Sequence, residues 1–112
     1  MADFLTALKS QVLLSDGAMG SYLFELTGRL SEANHVYELF NVDQPGLIEK
    51  VQLAYLSAGA QCLVTNTFGA NQAKLEEYGL GQRVAELNRG GVEVARRAIS
   101  QFKEQRKVEG PF

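Results

Sequence analysis

Val12-Leu13-Leu14-Ser15-Asp16-Gly17-Ala18-Met19-Gly20 is the stretch on which the reading of this chain turns. Three apolar residues run together without polar alternation and stop at an Asp-Gly turn signal. Such a run predicts a short strand buried on both faces. Gln61-Cys62-Leu63-Val64-Thr65-Asn66 is a second run of the same kind. Between them Met19, Tyr22, Leu23 and Leu26 repeat at helical spacing, and Gly28 stands where that helix can stop. Apolar runs alternating with helices predict parallel strands joined by right-handed crossovers, and so an α/β fold.

The flanking segments fit this frame. Residues 2–10 read as a short helix with Phe4, Leu5 and Leu8 on one face. Residues 29–43 have no clear period and read as a long ordered loop around a short helix. They hold the only histidine, His35, and a Tyr37/Leu39/Phe40 patch. Pro45 opens the clearest helix, with Asp43 or Gln44 as its cap and Leu47, Ile48, Val51, Ala54, Tyr55 and Ala58 as its apolar stripe. Gly59 can end it in a left-handed conformation. Gly69-Ala70-Asn71 leads into a helix through Lys74, Leu75 and Tyr78 that ends at Gly79.

The last predicted helix covers about 82–103, with Val84, Leu87, Val94, Ala95, Ala98 and Phe102 on one side. Gly90-Gly91 lies inside it. An interior glycine costs about 1 kcal/mol relative to alanine, so close packing against a neighbour is expected there. The tail 104–112 carries no fold signal. Two strands buried on both faces need more cover than these helices supply, which predicts that the chain is one part of a larger unit.

Composition narrows the function classes. The 112 residues are 46% hydrophobic and 21% charged, an ordinary globular mixture. Residues 1–60 hold three Lys/Arg against seven Asp/Glu, and 61–112 hold eight against six. In the second half Arg83, Arg89, Arg96, Arg97 and Lys103 alternate with Glu86, Glu93 and Glu104, the pattern of a solvated helix face rather than a nucleic-acid surface. No run approaches the ~18 apolar residues of a membrane span. One cysteine, Cys62, excludes an internal disulfide, and the N-terminus lacks the basic region and apolar core of a secretory signal. A reducing cytoplasm is the expected compartment.

The chemistry-bearing residues sit where the two runs end. In parallel α/β folds, ligands bind beyond the carboxyl ends of strands. In Ser15-Asp16-Gly17-Ala18-Met19-Gly20-Ser21, small residues let backbone N–H groups approach a carboxylate or phosphate at a helix start. Asp16 can accept from an ammonium or orient the loop. Spacing alone favours the plainer reading, a βα turn with Asp16 as an Asx cap. In Val64-Thr65-Asn66-Thr67-Phe68-Gly69-Ala70-Asn71, the hydroxyl and amide groups of Thr65, Asn66 and Thr67 can bind a polar substrate or cap the next helix. Cys62, between apolar neighbours, reads as a buried inert thiol, and His35 as a surface or packing residue. No phosphate-binding loop, dinucleotide fingerprint, nucleophile elbow or Cys-x-x-Cys pair is present.

These segments resemble the homocysteine-binding domain of the homocysteine S-methyltransferases. The matching motifs are Leu14–Ser21, Leu39-Phe40-Asn41-Val42-Asp43-Gln44-Pro45, Ala54-Tyr55-Leu56-Ser57-Ala58-Gly59-Ala60 and Thr65-Asn66-Thr67-Phe68-Gly69-Ala70-Asn71. Lys74-Leu75-Glu76-Glu77-Tyr78-Gly79-Leu80 is most similar to the bacterial type fused to methylenetetrahydrofolate reductase, which makes a fused C-terminal reductase domain an expected partner. The resemblance implies that residues 1–112 are a partial homocysteine-binding domain: the N-terminal portion, first two βα units plus an N-terminal helix, of a (β/α)8 TIM barrel. It implies methyl transfer to the zinc-activated thiolate of homocysteine, giving methionine. Asp16, Gly17, Ala18, Met19, Thr65, Asn66 and Thr67 would bind homocysteine. Methylfolate or cobalamin would be a methyl source, and the donor itself stays open.

There are departures from the family. Its zinc ligands are cysteines on later strands, and nothing in 1–112 matches them. Gln52 stands where histidine is common. The alternative is a non-catalytic α/β binding or interaction domain that oligomerises to cover its sheet. With one cysteine and one histidine, the 112-residue chain is expected to transfer no methyl group and to hold no zinc at one ion per chain, since zinc takes three or four such ligands. Metal analysis after dialysis against zinc checks this, and one retained ion per chain would contradict it.

Overall fold

The structure, a computed structural model, describes residues 3–27 and 36–106. Its helices are α1 (Phe4–Ser10), α2 (Gly20–Thr27), α3 (Phe40–Asp43), α4 (Pro45–Ser57), α5 (Gln72–Glu76) and α6 (Val84–Arg106). Short 3-10 turns at Tyr37–Leu39 and Gly81–Arg83 lead into α3 and α6.

Most helix ends are set by the residues that stand there. The Asp3 carboxylate accepts from the Thr6 amide and hydroxyl, both at 2.9 Å, and caps α1. Those hydrogen bonds hold its carboxyl below the usual carboxylate range, the backbone one most strongly. Pro45 occupies the first turn of α4, where a missing N–H leaves no hydrogen bond unmade. Gln44 precedes it but gives no side-chain cap. Gly59 follows α4 at φ +115°, a conformation costly for any residue with a Cβ. Asn71 caps α5 by accepting from the Lys74 amide at 2.9 Å. The helices expected at Pro45, after Asn71 and across 82–103 therefore form. Gly28 and His35 lie outside the described residues.

The α4 stripe buries Ile48, Val51 and Leu56, and α4 packs along α6 in the largest helix pairing of the described residues. Leu23 of α2, Phe40 of α3 and Val94 of α6 complete this core, with Met19, Tyr22, Leu26 and Leu47 around it. Burying each such aliphatic side chain contributes about 1.5–3 kcal/mol. A second cluster joins Val36, Ala70, Leu75 and Leu87. Gln52, also on α4, is fully buried, and neither polar atom of its amide has a partner among the described residues.

One polar network ties the two clusters together. Asn41 Nδ2 donates to the Asn66 carbonyl at 2.8 Å and to the Leu87 carbonyl at 3.0 Å. Asn66 Nδ2 donates to Asn41 Oδ1 at 3.0 Å and to the Tyr37 carbonyl at 3.1 Å. Both side chains are buried. Buried polar groups hold a fold together only when their partners are present, and here both amide NH2 groups are saturated.

Gly90 and Gly91 give α6 room to approach this network. A Cβ on Gly91 would stand 2.7 Å from Thr67 Cγ2 and 2.9 Å from Asn41 Nδ2. One on Gly90 would stand 3.2 Å from the Asn41 carbonyl oxygen. The close packing expected at this pair is present.

The expected α/β class, the first two βα units plus an N-terminal helix of a (β/α)8 TIM barrel, does not hold. The described residues are helical and form no strand or sheet. The two apolar runs meet only at one parallel bridge, Ser15 to Cys62. Nor are they buried on both faces: Val12 is 93% exposed, Leu14 57% and Val64 66%. A parallel ladder is held by burial of both faces, and neither run has that cover among the described residues. Phe4, Leu5 and Leu8 of α1 are likewise exposed, and only Ala7 of that helix is buried. Cys62 is half-buried rather than sealed in a core, its thiol 3.7 Å from the Leu14 carbonyl.

Two glycine substitutions should move in opposite directions. Gly91→Ala drives a methyl group into Thr67 and Asn41, so overpacking of about 1–3 kcal/mol should outweigh the helix-propensity gain of ~1 kcal/mol. Gly46→Ala in α4 meets nothing within 4 Å and should stabilise by roughly 0.5 kcal/mol. Urea denaturation midpoints of the two variants check the signs.

Candidate functional site

The bridge fixes the register of the two candidate segments. Gln61 and Cys62 amides donate to the Leu14 carbonyl at 2.7 and 3.3 Å, and the Asp16 amide donates to the Cys62 carbonyl at 3.1 Å. Gln61 Oε1 accepts from the Leu14 amide at 3.0 Å. Beyond the bridge, backbone pairing stops and a side chain takes over. Both carboxylate oxygens of Asp16 accept from the Val64 amide, each at 3.2 Å, and Ser15 Oγ donates to Oδ1 at 3.2 Å. Of the roles open to Asp16, its geometry is that of a clamp between segments. The half-buried carboxylate keeps further acceptor sites, since an ionised carboxylate offers about four.

The loop after Asp16 rests on aromatic rings. A Cβ on Gly17 would stand 3.0–3.3 Å from the Tyr55 ring and hydroxyl, and one on Gly20 2.9–3.2 Å from the Tyr37 ring and hydroxyl. Tyr55 OH donates to the Ala18 carbonyl at 2.7 Å. Tyr22 meets Tyr55 edge-on, with ring centroids 5.8 Å apart. With the Ala18 carbonyl turned toward Tyr55, Gly17 and Ala18 are exposed and Met19 is half-buried. Among the described residues, no acceptor engages the Gly17, Ala18 or Met19 amides. Desolvation by burial, and after it the negative charge of Asp16, Tyr22 and Glu25, pushes the Tyr55 hydroxyl above the ordinary phenol range. It stays a neutral donor at neutral pH.

The second segment is held from behind. The two Asn66 Nδ2 hydrogens go to Asn41 and the Tyr37 carbonyl. Thr65 and Thr67 hydroxyls lie 2.8 Å apart, and the Thr67 amide donates to the Thr65 carbonyl at 2.9 Å. Glu38, 4% exposed, accepts from the Gly69 amide through Oε1 at 2.7 Å. Phe68 between them is 97% exposed. None of Thr65, Asn66 and Thr67 caps α5, because Asn71 does.

The structure thus sets Asp16–Met19 and Val64–Thr67 side by side, joined through Asp16. Tyr55, Asn41 and Glu38 are the residues holding these two segments whose part in them sequence reasoning missed. Tyr55 was visible as the one hydroxyl-bearing ring in the α4 stripe and as part of the Ala54–Ala60 motif, without a role. Glu38 was hidden in an aperiodic segment, and Asn41 was visible only as part of the Leu39–Pro45 motif. Two open surface depressions, about 710 Å3 beside Gly79–Arg83 and about 300 Å3 beside Pro45 and Arg89, include no residue of either segment. Arg83 bridges Glu86 at 2.5 Å and Asp43 at 3.7 Å on that outer face. Among the described residues, no group of three or more His, Cys, Asp or Glu could hold a metal ion, so they do not fit a zinc centre. No described helix is long and apolar enough to cross a membrane.

Comparison with known proteins gives the family. The homocysteine S-methyltransferase family model matches residues 13–111, and the chain belongs to that family. It is 32% identical over 103 residues to a methionine synthase of Mycobacterium tuberculosis, covering 89% of this chain and 9% of that protein. It is 35% identical over 91 residues to the homocysteine S-methyltransferase of Escherichia coli, covering 80% and 29%. The crystal structure of the Escherichia coli homocysteine methyltransferase MmuM, in its oxidized form, superposes with a TM-score of 0.78 at 32% identity. That match covers 92% of this chain and 36% of MmuM. The chain therefore spans about a third or less of the relatives it matches.

Tyr55→Phe should cost about 1 kcal/mol, the net worth of one hydrogen bond, and speed amide exchange around Ala18. Because the folded pKa of Tyr55 is raised, its contribution is full below the ordinary phenol range and lost as pH climbs through the raised value. Denaturation of wild type and Tyr55→Phe at neutral and strongly alkaline pH should show the difference between them shrinking at high pH.

Proposed function

We propose that this chain supplies the amino-acid-holding side of a homocysteine site, in a protein that transfers a methyl group to the homocysteine sulfur to give methionine. The observation that carries this reading is the Asp16–Val64 clamp. It sets the unengaged amides of Gly17, Ala18 and Met19 beside the polar segment Thr65–Thr67. Three successive amides at the start of α2 suit a carboxylate. The remaining acceptor capacity of Asp16 suits an ammonium a few ångströms away. One α-amino acid carries both groups, and membership of the homocysteine S-methyltransferase family supports homocysteine as that amino acid.

Each residue then has a chemical task. Gly17, Ala18 and Met19 would donate to the substrate carboxylate, and Asp16 would accept from its ammonium. Thr65 and Thr67 would offer hydroxyls to the same ligand, while Asn66 lines the segment with its NH2 group committed to Tyr37 and Asn41. Tyr55 would keep the loop amides turned outward. Zinc would supply a thiolate at the substrate sulfur, but no set of described residues fits it, so the steps given to this chain are binding and orientation alone.

L-homocysteine titrated at millimolar concentration into the 15N-labelled chain should shift the amide resonances of residues 16–19 and 64–67. Asp16→Ala should weaken that response at least fivefold, while the melting temperature falls by only a few degrees. Shifts scattered elsewhere, or an unchanged response in a variant of much lower melting temperature, would sink the reading.

A further inference from the structure

Glu38 is the one buried carboxylate among the described residues that holds a loop rather than a helix or an ion pair. It sits in the 3-10 turn Tyr37–Leu39, 4% exposed, and its only hydrogen bond runs from the Gly69 amide to Oε1 at 2.7 Å. Its other oxygen, Oε2, is buried without a partner. Burying a carboxylate so incompletely satisfied is costly. An apolar side chain at position 38 would suit a core that already contains Val36 and Phe40. The carboxylate therefore needs a reason to be there, and the one group it grips is the backbone that closes the Thr65–Gly69 turn.

The grip is tight on both sides. A Cβ on Gly69 would stand 2.5 Å from Glu38 Oε1, 2.8 Å from Lys74 Nζ and 2.9 Å from Lys74 Cδ. Gly69 thus lies in a slot between a buried acid and the stem of a lysine from α5. On the other side, the Thr67 carbonyl accepts from the Ala70 amide at 3.0 Å, which closes the turn on itself. With Asn66 fixed by Asn41 and Tyr37 and Gly69 fixed by Glu38, the two anchors bracket Thr67 and Phe68. Phe68 is 97% exposed and makes no packing contribution of its own. Without the Gly69 anchor, the exposed Phe68 adds no packing to the turn. The turn would keep the Ala70–Thr67 bond, the Asn71 Nδ2 bond to the Phe68 carbonyl at 3.3 Å and the Asn88 Nδ2 bond to the Ala70 carbonyl at 2.7 Å. The Thr67 hydroxyl would be held less firmly 2.8 Å from that of Thr65.

We propose that Glu38 is a positioning residue, which sets the strength of ligand binding at Thr65 and Thr67 by pinning the Gly69 amide. The ligand class, an α-amino acid with a thiol side chain, rests on the function proposed above. The pinning does not.

Two readouts separate the two. The first needs no ligand: amide hydrogen exchange across residues 65–70 in the 112-residue chain. Glu38→Leu should speed exchange there at least tenfold while leaving α4 and α6 protected. Glu38→Gln keeps an acceptor oxygen and should restore most of the protection. Should Glu38→Leu fail to fold, Gly69→Ala displaces the carboxylate without removing any charge and should loosen the same residues. The second readout is the homocysteine titration followed at Thr65 and Thr67. Glu38→Leu or Gly69→Ala should weaken it severalfold, and Glu38→Gln should weaken it little. Unchanged exchange at 65–70 in both Glu38→Leu and Gly69→Ala overturns the pinning. Wild-type titration together with unweakened titration in the loosened variants overturns the link to binding. Local loosening with no wild-type response to homocysteine leaves the pinning standing and removes the proposed function instead.

Discussion

The pairing of Asn41 with Asn66 is the constraint around which this structure is arranged. Asn66 Nδ2 donates to the Asn41 side-chain oxygen, and Asn41 Nδ2 donates to the Asn66 backbone carbonyl. Each also donates to a further carbonyl, that of Leu87 in α6 for Asn41 and that of Tyr37 in the turn before α3 for Asn66. Three stretches distant in sequence, 37–41, Asn66 and Leu87, meet at two side chains. The meeting is possible because α6 carries no Cβ at 90 or 91, so the helix backbone can lie against Asn41 and Thr67. The apolar clusters on either side contribute more free energy, but they are tolerant of exchange. The amide pair is not, since removing one member strands buried donors and acceptors on the others.

From that constraint the candidate site follows. Asn66 is fixed, so the residues on both sides of it are placed: Val64 within reach of Asp16, and Thr67 between Asn66 and Gly69. The loop 16–20 is placed from the other direction, by the rings of Tyr55 and Tyr37 beneath two glycines. The site is an open ledge formed where two chain segments run on past a single bridge. What joins them there is a carboxylate, not a ladder.

The helices were legible because each carries its own punctuation. Pro45, Gly59 and Asn71 act within a few residues of themselves, and the structure places helix ends at these three, whereas α5 stops at Glu76 and Gly79 closes the turn beyond it at φ +72°. The Gly90-Gly91 pair also announced close packing, although not its partner. The strands were misread for a physical reason. An apolar run such as Val12–Leu14 states that its side chains favour burial, but pairing depends on neighbours that a sequence window does not contain. Here those runs make one bridge and leave Val12 and Val64 in solvent. The ends of the runs were legible as a polar site because small and hydroxyl residues cluster there. The groups that hold that site, Glu38, Asn41 and Tyr55, were not, since each acts on a backbone atom about 25 to 37 residues away.

The hydroxyl of Tyr55 bears on how the thiol substrate proposed for this ledge would behave. Free thiols ionise near pH 8.5, and an uncatalysed thiolate becomes plentiful only in mild alkali. A phenol at its ordinary value would begin to lose its proton not far above that range and release the Ala18 carbonyl. Burial and the nearby Asp16 hold Tyr55 in its donor form beyond it. The loop would thereby be buffered against the conditions under which the proposed ligand changes charge. Raising the pH alters the sulfur before it alters the Tyr55 contact that holds the loop.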